Sequence, residues 1–256
     1  MLLAIDVGNT QTVLGVYEGE KLLHMWRLAT NVDYTSDELR IKLHALLRAE
    51  DLDSVKFDGA VLASVVPALT HNWEKVCLRS FGVEVYVVST KLCGHLVGIT
   101  GEDFRETGAD RVADAVAAKA LYGTPVVVVD FGTATNIEVV DAEGCFAGGI
   151  IAPGVESSMK SLLSRAALLK AVELEDPGVA IGRNTTDAIK VGVVRGEAAR
   201  VDGLVEGIHE QLGMEAKIVA TGGLAHRIAP MSKTITEINL ELTLQGLRLI
   251  YEELTK

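Results

Sequence analysis

Apolar residues recur along this chain in two periods, and the alternation between them marks out its elements. Leu2–Asp6 is an apolar run closed by a carboxylate, Thr12–Tyr17 is β-rich, Glu18-Gly19-Glu20 reads as a turn, and Leu22–Leu28 carries large apolar side chains. Three short strands are the expectation there. The period then changes to helical: Leu39, Leu43, Leu46 and Leu47 form one stripe, and Thr35-Ser36-Asp37-Glu38 offers a capping box for its start. Gly59–Val66 reads as a buried strand. Pro67 suits the first turn of a helix with Leu69, Trp73 and Val76 on one face, and Val83–Val88 is another strand.

The second half repeats this grammar. Pro125–Asp130 is an all-apolar strand ending in a carboxylate, Thr135–Val140 is β-rich, Asp141-Ala142-Glu143-Gly144 is a turn, and Cys145–Ile151 completes a third strand. Pro153-Gly154 opens a helix with Met159, Leu162 and Leu163 on one face. A long helical segment is expected from about Thr186 to Leu212, a strand over Ala216–Ala220, a turn at Thr221-Gly222-Gly223 and a final helix over Leu242–Leu254. Asp130 stands 124 positions after Asp6, close to half the chain. An internal duplication is the simplest account, and a repeat of this length implies two similar lobes rather than a solenoid. The expected division is residues 1–115 and 116–256, one phosphate loop in each.

Composition narrows the picture. The 256 residues are 48% hydrophobic and 23% charged, ordinary for a globular protein with a sizeable core. The net charge of −11 repels nucleic acid and anionic lipid, so neither is an expected partner. The same charge would repel a nucleotide, so a nucleotide site here must bring its own positive potential from backbone amides, a helix N-terminus or bound cations. Cys77, Cys93 and Cys145 lack metal-ligand spacing and read as small, mostly buried thiols in a reducing compartment. The first residues run straight into a strand pattern, and no stretch is apolar enough to span a bilayer. Cytoplasm is the expected location.

The candidate chemistry lies in Asp6-Val7-Gly8-Asn9-Thr10 and Asp130-Phe131-Gly132-Thr133-Ala134-Thr135, read as two halves of one nucleotide phosphate site. A strand ending in Asp and followed at once by Gly and Thr supplies three things. The carboxylate can hold hydrated Mg²⁺. The glycine lets backbone approach a phosphate oxygen. The hydroxyls and amides of Asn9, Thr10, Thr133 and Thr135 can donate hydrogen bonds. A tight hairpin turn would also explain either loop taken singly. Neither loop is a Walker A sequence, and no Gly-x-Gly-x-x-Gly follows a strand. Thr221-Gly222-Gly223 is open between a plain strand-to-helix turn and a platform for adenosine or ribose. Asp110, placed at the start of a helix expected over Val112–Leu121, is open between a helix cap and a general base. Arg111 is open between a surface ion pair and a fork for a substrate carboxylate.

These duplicated units with paired Asp-Gly-Thr loops resemble the actin-like ATPase superfamily, an α/β duplicated (ribonuclease H-like) fold in which two lobes of mixed sheets and flanking helices clamp ATP. Within it, the chain resembles the type III pantothenate kinases from Leu2 to about Tyr251. The segments that carry the resemblance are Asp6–Thr10, Gly108–Arg111, Asp130–Thr135, Gly148–Gly154, Gly182–Thr185, Ala220–Gly223 and Leu242–Leu247. The resemblance implies ATP-dependent phosphorylation of pantothenate to 4'-phosphopantothenate, the first step of coenzyme A biosynthesis. It implies that Asp6, Val7, Gly8, Asn9, Thr10, Gln11, Thr12 and Val13 form the first phosphate loop, with Asp6 near Mg²⁺. Gly132, Thr133, Gly222 and Gly223 would meet ATP, and Asp130 would hold a monovalent cation, potassium or ammonium. Asp110 would accept the proton of the pantothenate hydroxyl, with Gly108, Ala109, Asp110 and Arg111 lining the acceptor site. Thr185 would be contributed across a homodimer interface.

The departures from the family pattern cluster on the acceptor side. Where the family reads Tyr-x-Asn-Pro, Gly101, Asp103 and Phe104 stand instead of Tyr, Asn and Pro; Ala166–Lys170 replaces Thr-Ala-x-Leu-Pro; and Val191-Gly192 replaces Ser-Gly. An alternative therefore stands beside the kinase: a non-autonomous paralogue, a regulatory or partner subunit of a heteromer with a homologous chain, binding nucleotide with an altered acceptor site.

Overall fold

The computed structural model describes residues 1–99, 106–165 and 172–256. In chain order it runs β1 (Leu2–Val7), β2 (Gln11–Glu18), β3 (Lys21–Ala29), α1 (Ser36–Ala49), β4 (Gly59–Ser64), α2 (Pro67–Phe81), β5 (Val85–Val87), α3 (Thr90–Cys93) and α4 (Ala109–Tyr122). It continues with β6 (Val126–Phe131), β7 (Ala134–Val140), β8 (Phe146–Pro153), α5 (Val155–Arg165), α6 (Thr185–Lys190), α7 (Gly196–Leu212), β9 (Lys217–Thr221), α8 (Ala225–Ile228), β10 (Glu237–Ile238) and α9 (Leu242–Leu254).

The apolar strand runs become two sheets of one topology. The first is ordered β3-β2-β1-β4-β5 and the second β10-β9-β6-β7-β8. Read from the opposite edge, the second repeats the first strand for strand. Both central strands, β1 and β6, pair antiparallel on one side, with β2 and β7, and parallel on the other, with β4 and β9. Even the register break recurs: β2–β3 shifts between Val16 and Tyr17, and β7–β8 between Val139 and Val140. The duplication expected from the spacing of Asp6 and Asp130 is present in the fold.

Local chemistry explains the helix ends. Thr35 accepts from the Glu38 amide while Glu38 accepts from the Thr35 amide at 2.8 Å, so the capping box of α1 is complete. Pro67 opens α2, and Gly82 closes it at φ 71°, a left-handed position that costs glycine little. The core of the first sheet gathers Leu3, Ile5, Leu14, Leu43, Leu47, Leu62, Leu69 and Trp73. That of the second gathers Val127, Val129, Phe131, Ile137, Val201, Val205 and Ile218. Cys77 and Cys93 are buried free thiols, and burial pushes the Cys77 thiol up to about 12, which leaves it unreactive.

Two compact units result: Met1–Ala117 together with Leu242–Lys256, and Ala118–Glu241. The boundary falls within α4, close to the expected break after residue 115. The C-terminal helix, however, joins the first unit and not the 116–256 half. The physical reason is its apolar face: Leu242, Leu244, Leu247 and Ile250 are buried, and Leu244 and Tyr251 meet Gly15 of β2 and Gly59 of β4. The long helical segment expected from about Thr186 to Leu212 is present over 185–212, although it is not α-helix throughout. Between α6 and α7, Val191–Arg195 forms a π-helical turn in which the Gly196 amide donates to the Val191 carbonyl. One added residue in a turn rotates everything after it by about 100°. The rotated α7 turns Glu197, Ala198, Val201, Asp202 and Val205 inward.

Asp202 clasps the segment leading into β10. It accepts from the Ser232 hydroxyl (2.5 Å), the Lys233 amide (3.0 Å), and both the amide and hydroxyl of Thr234 (3.2 and 2.9 Å). Burial alone would push this carboxyl up, but the donors from Ser232, Lys233 and Thr234 outweigh it and hold the group below the usual carboxylate range. Asp202→Ala is expected to lower the unfolding free energy by about 2–3 kcal/mol at pH 7 in a urea titration. Because the depressed carboxyl stabilises the fold only when ionised, the gap between parent and variant is full above about pH 4 and closes as the pH falls through the folded-state value.

Candidate functional site

Asp6 is the last polar position of β1, paired with Val13 of β2 and Ala63 of β4. Its carboxylate is half-buried at the strand end, while Asn9, Thr10 and Gln11 are exposed at the hairpin tip. The Gly8 amide donates to the Gln11 carbonyl at 3.0 Å, and a Cβ on Gly8 would stand 3.0 Å from that same oxygen. A side chain there would force the turn open. Val7, Thr12 and Val13 are buried and anchor the loop. The Thr12 hydroxyl is 2.9 Å from that of Thr30, whose amide donates to the Thr10 carbonyl at 2.9 Å. The loop is therefore tied at its base and exposed at its tip, a form suited to presenting amides to an anion.

Asp110 is in the same unit. The Val65 amide continues the β1–β4 ladder by donating to the Val7 carbonyl at 3.0 Å. Gly108, just ahead of α4, lies against Val65: a Cβ built on it would come within 3.6 Å of the Val65 side chain and would overlap Asp110 Oδ1. The strand end that carries the first loop and the turn that carries Asp110 thus meet at Val65. Helix α4 begins at Ala109, three residues before the expected start, so Asp110 is in its first turn and not at the cap. A negative charge suits that end of the helix dipole, and Asp110 Oδ1 accepts from the Arg111 amide at 2.9 Å. Asp110 and Arg111 are both half-buried.

The second loop has the same form in the second unit. Asp130 of β6 pairs with Asn136 of β7 and Thr221 of β9. The Gly132 amide donates to the Ala134 carbonyl at 3.0 Å, leaving Thr133 exposed at the tip. Gly222 has φ 90°, and a Cβ there would overlap Asp130 Oδ1 and the Phe131 backbone; Gly223 beside it faces open space. Gly154, ahead of α5, packs so that a Cβ would stand 2.5 Å from the Thr133 carbonyl. That carbonyl also accepts from Ser157 Oγ at 2.9 Å. Asp130, Gly132, Thr133, Gly222 and Gly154 are one constellation. Thr185 is elsewhere in this unit, exposed as the first residue of α6 behind the Asn184 cap.

One expectation changes. Thr135 was read as a donor to phosphate, but it is 2% exposed and its hydroxyl donates to Glu197 Oε1 at 2.6 Å. Glu197, 5% exposed, also accepts from Arg200 at 2.6–2.7 Å, and Arg200 donates on to the Pro153 carbonyl at 2.9 Å. This buried network braces the second loop, the end of β8 and α7 together. The sequence pattern gave it no signal, because periodicity puts Glu197 on the same face as Val201 but does not say which distant donors meet it there.

Among the described residues, no three or more His, Cys, Asp or Glu side chains gather as a metal cage. Mg²⁺ keeps several waters and takes substrate phosphates as ligands, so a lone carboxylate beside a glycine-cradled loop, as at Asp6, fits its chemistry. Gly101, Asp103, Phe104 and Ala166–Lys170, where the chain departs from the family pattern, lie outside the described residues.

Two sheets of one strand order, each with an Asp-bearing hairpin loop at the end of its central strand, define an actin-like ATPase fold. A ROK hexokinase from Thermus thermophilus shares it at a TM-score of 0.53, with 15% identity and 99% of each chain covered. So does a conserved Baf family protein from Campylobacter jejuni, at a TM-score of 0.60 and 19% identity, over 99% of this chain and 98% of that one. At these identities the likeness is one of fold. Sequence carries the assignment further: the chain belongs to the type III pantothenate kinase family, which it matches over residues 2–207. A type III pantothenate kinase from Halalkalibacterium halodurans is 42% identical over 253 residues, 99% of each chain. One from Exiguobacterium sibiricum is 44% identical over 252 residues, 98% of this chain and 99% of the other. The alternative of a non-catalytic partner subunit gains no support from these relatives.

Glu197→Ala leaves the Thr135 hydroxyl and the Arg200 guanidinium facing each other without their acceptor. It is expected to lower stability by about 3 kcal/mol, the low end for a broken buried pair since Arg200 is partly exposed, as read by chemical denaturation. Gly222→Ala is expected to raise the KM for ATP at least about tenfold, because its Cβ displaces the Asp130 carboxylate or the Phe131 backbone by on the order of 1 Å.

Proposed function

We propose that this protein transfers the γ-phosphoryl group of ATP to the primary hydroxyl of pantothenate, giving 4'-phosphopantothenate and ADP, the entry step of coenzyme A biosynthesis. The observation that carries the reading is the meeting at Val65 of the Asp6 loop and the Gly108–Asp110 turn, in a chain of the pantothenate kinase family. Transfer to an alcohol needs donors and cations around the phosphates and an acceptor for the hydroxyl proton. Asn9, Thr10 and Gln11, exposed at the hairpin tip, supply donors. Asp110 takes the proton as the hydroxyl oxygen attacks phosphorus and the bond to the ADP oxygen breaks. Arg111 offers a planar fork to the pantothenate carboxylate. Asp6 would hold Mg²⁺, which would supply positive charge to the phosphate oxygens.

The finer assignments follow from the same reading. Asp130, walled by Gly132 and Gly222, is the candidate holder of a potassium or ammonium ion, with Thr133 donating to ATP. Thr185, exposed on α6, suits a contact to the acceptor site of a second copy in a homodimer. A cytoplasmic location accords with the substrates. Among the described residues no helix is long and apolar enough to cross a membrane.

A coupled ADP-release assay with the purified chain, pantothenate, Mg²⁺ and potassium tests the activity; absence of turnover from folded, ATP-binding protein would overturn it. Asp110→Asn is expected to lower kcat by about 10²–10⁴-fold, the usual range for a lost general base, with ATP affinity by calorimetry within about twofold of the parent. A collapse of ATP affinity would instead make Asp110 structural. Asp130→Ala is expected to abolish activation by potassium, and retained activation in a titration from potassium-free buffer would refute that site.

A further inference from the structure

Helix α4 carries a second carboxylate that the phosphoryl-transfer chemistry leaves unused. Asp114 follows Asp110 by four residues, one helical turn along the same side of the helix, and is 2% exposed. A carboxylate so deep is tolerated only with donors to hold it. One comes from the far end of the chain: Thr243 Oγ1, in the first turn of α9, donates to Asp114 Oδ1 at 2.7 Å. One turn further on, Gly246 lies directly against α4, where a Cβ would overlap the Ala113 carbonyl. Ala113, the residue met there, is itself fully buried. The two helices therefore touch backbone to backbone through a glycine, with the Thr243–Asp114 hydrogen bond fixing their relative slide.

We propose that Thr243, Asp114 and Gly246 are positioning residues for the reaction: α9 sets the axial position of α4, and through it the position of the Asp110 carboxylate. One turn of helix is stiff, so a slide of α4 carries Asp110 with it. On the Asp110 side the turn lies beside the Val65 side chain, which an added Cβ on Gly108 would meet at 3.6 Å. Such apolar proximity does not set a register. A directional hydrogen bond to a buried carboxylate does. Proton acceptance in the transfer step depends on sub-ångström placement, and a displacement of about 1 Å can cost on the order of 10²-fold in rate. This inference rests on the reading of Asp110 as the base.

The test compares Thr243→Val, which keeps the shape and removes the hydroxyl, with Thr243→Ser, which keeps the hydroxyl. Thr243→Val is expected to lower kcat about tenfold or more, with the KM for ATP and calorimetric ATP binding within about twofold of the parent. Thr243→Ser is expected to restore kcat to within about twofold of the parent. Thr243→Ala, which leaves room for water on the Asp114 carboxylate, carries the same expectation as Thr243→Val and replaces it if that variant does not fold. Equal losses in Thr243→Val and Thr243→Ser, or losses that match a fall in the folded fraction, would overturn the proposal. So would an unchanged kcat in Thr243→Val alongside a crippled Asp110→Asn, and in that case the base assignment stands while the lock falls. If Asp110→Asn keeps its turnover, the base assignment itself fails and takes the lock with it.

Discussion

In each unit the site depends on a central strand with one antiparallel and one parallel neighbour. An antiparallel partner forces a tight hairpin at the strand's carboxyl end. A parallel partner brings a second strand to a stop at that same end. Strand end, hairpin tip and the turn after the parallel strand must therefore share one edge of the sheet, just where open α/β sheets tend to hold ligands. In the first unit that edge collects Asp6, Gly8 and Val65, with Gly108 against Val65. In the second it collects Asp130, Gly132 and Gly222. The aspartates and glycines are useful because this pairing leaves little space for anything else: at Gly8 and Gly222 an added methyl group would press on backbone.

Much of this was legible in the order of residues because it is local. Apolar runs ending in Asp predict strands that end where a loop must turn, the Thr35–Glu38 box marks its helix start, and Pro67 marks another. The repeat of pattern from Asp6 to Asp130 was enough to expect a duplicated fold. What escaped was non-local. Whether the C-terminal helix packs with the near half or the far half is decided by which surface its leucines fit, and periodicity carries no address. The apolar run points to a start of α4 at Val112, because Asp110 and Arg111 interrupt it, although the helix N-terminus favours the Asp110 charge. The candidate site is legible as two loops and an Asp-Arg pair. Its supports are not, because Glu197 depends on a threonine 62 residues away and Asp114 on one 129 residues away.

The buried carboxylates share a logic. Asp114, Glu197 and Asp202 each join segments far apart in sequence, to α9, to the start of β7 and to the approach to β10 respectively. A buried apolar contact tolerates sliding, whereas a buried carboxylate with fixed donors does not, because any slip exposes an unsatisfied charge to a low-dielectric interior. Polar groups placed between hydrophobic layers thereby trade some stability for a defined register.

The attachment of α9 to the first unit also shapes how the chain can assemble. The second unit is one continuous stretch, Ala118–Glu241, whereas the first is split and closes only with Leu242–Lys256. During synthesis the second unit has all its parts before the first does. The β2 and β4 glycines that await Leu244 and Tyr251, and the Asp114 carboxylate that awaits Thr243, emerge early and are matched last. Chain segments that must be held apart until a distant partner arrives raise the entropy of loop closure and slow the final docking. The half of the protein that begins the chain is thus the half that finishes folding.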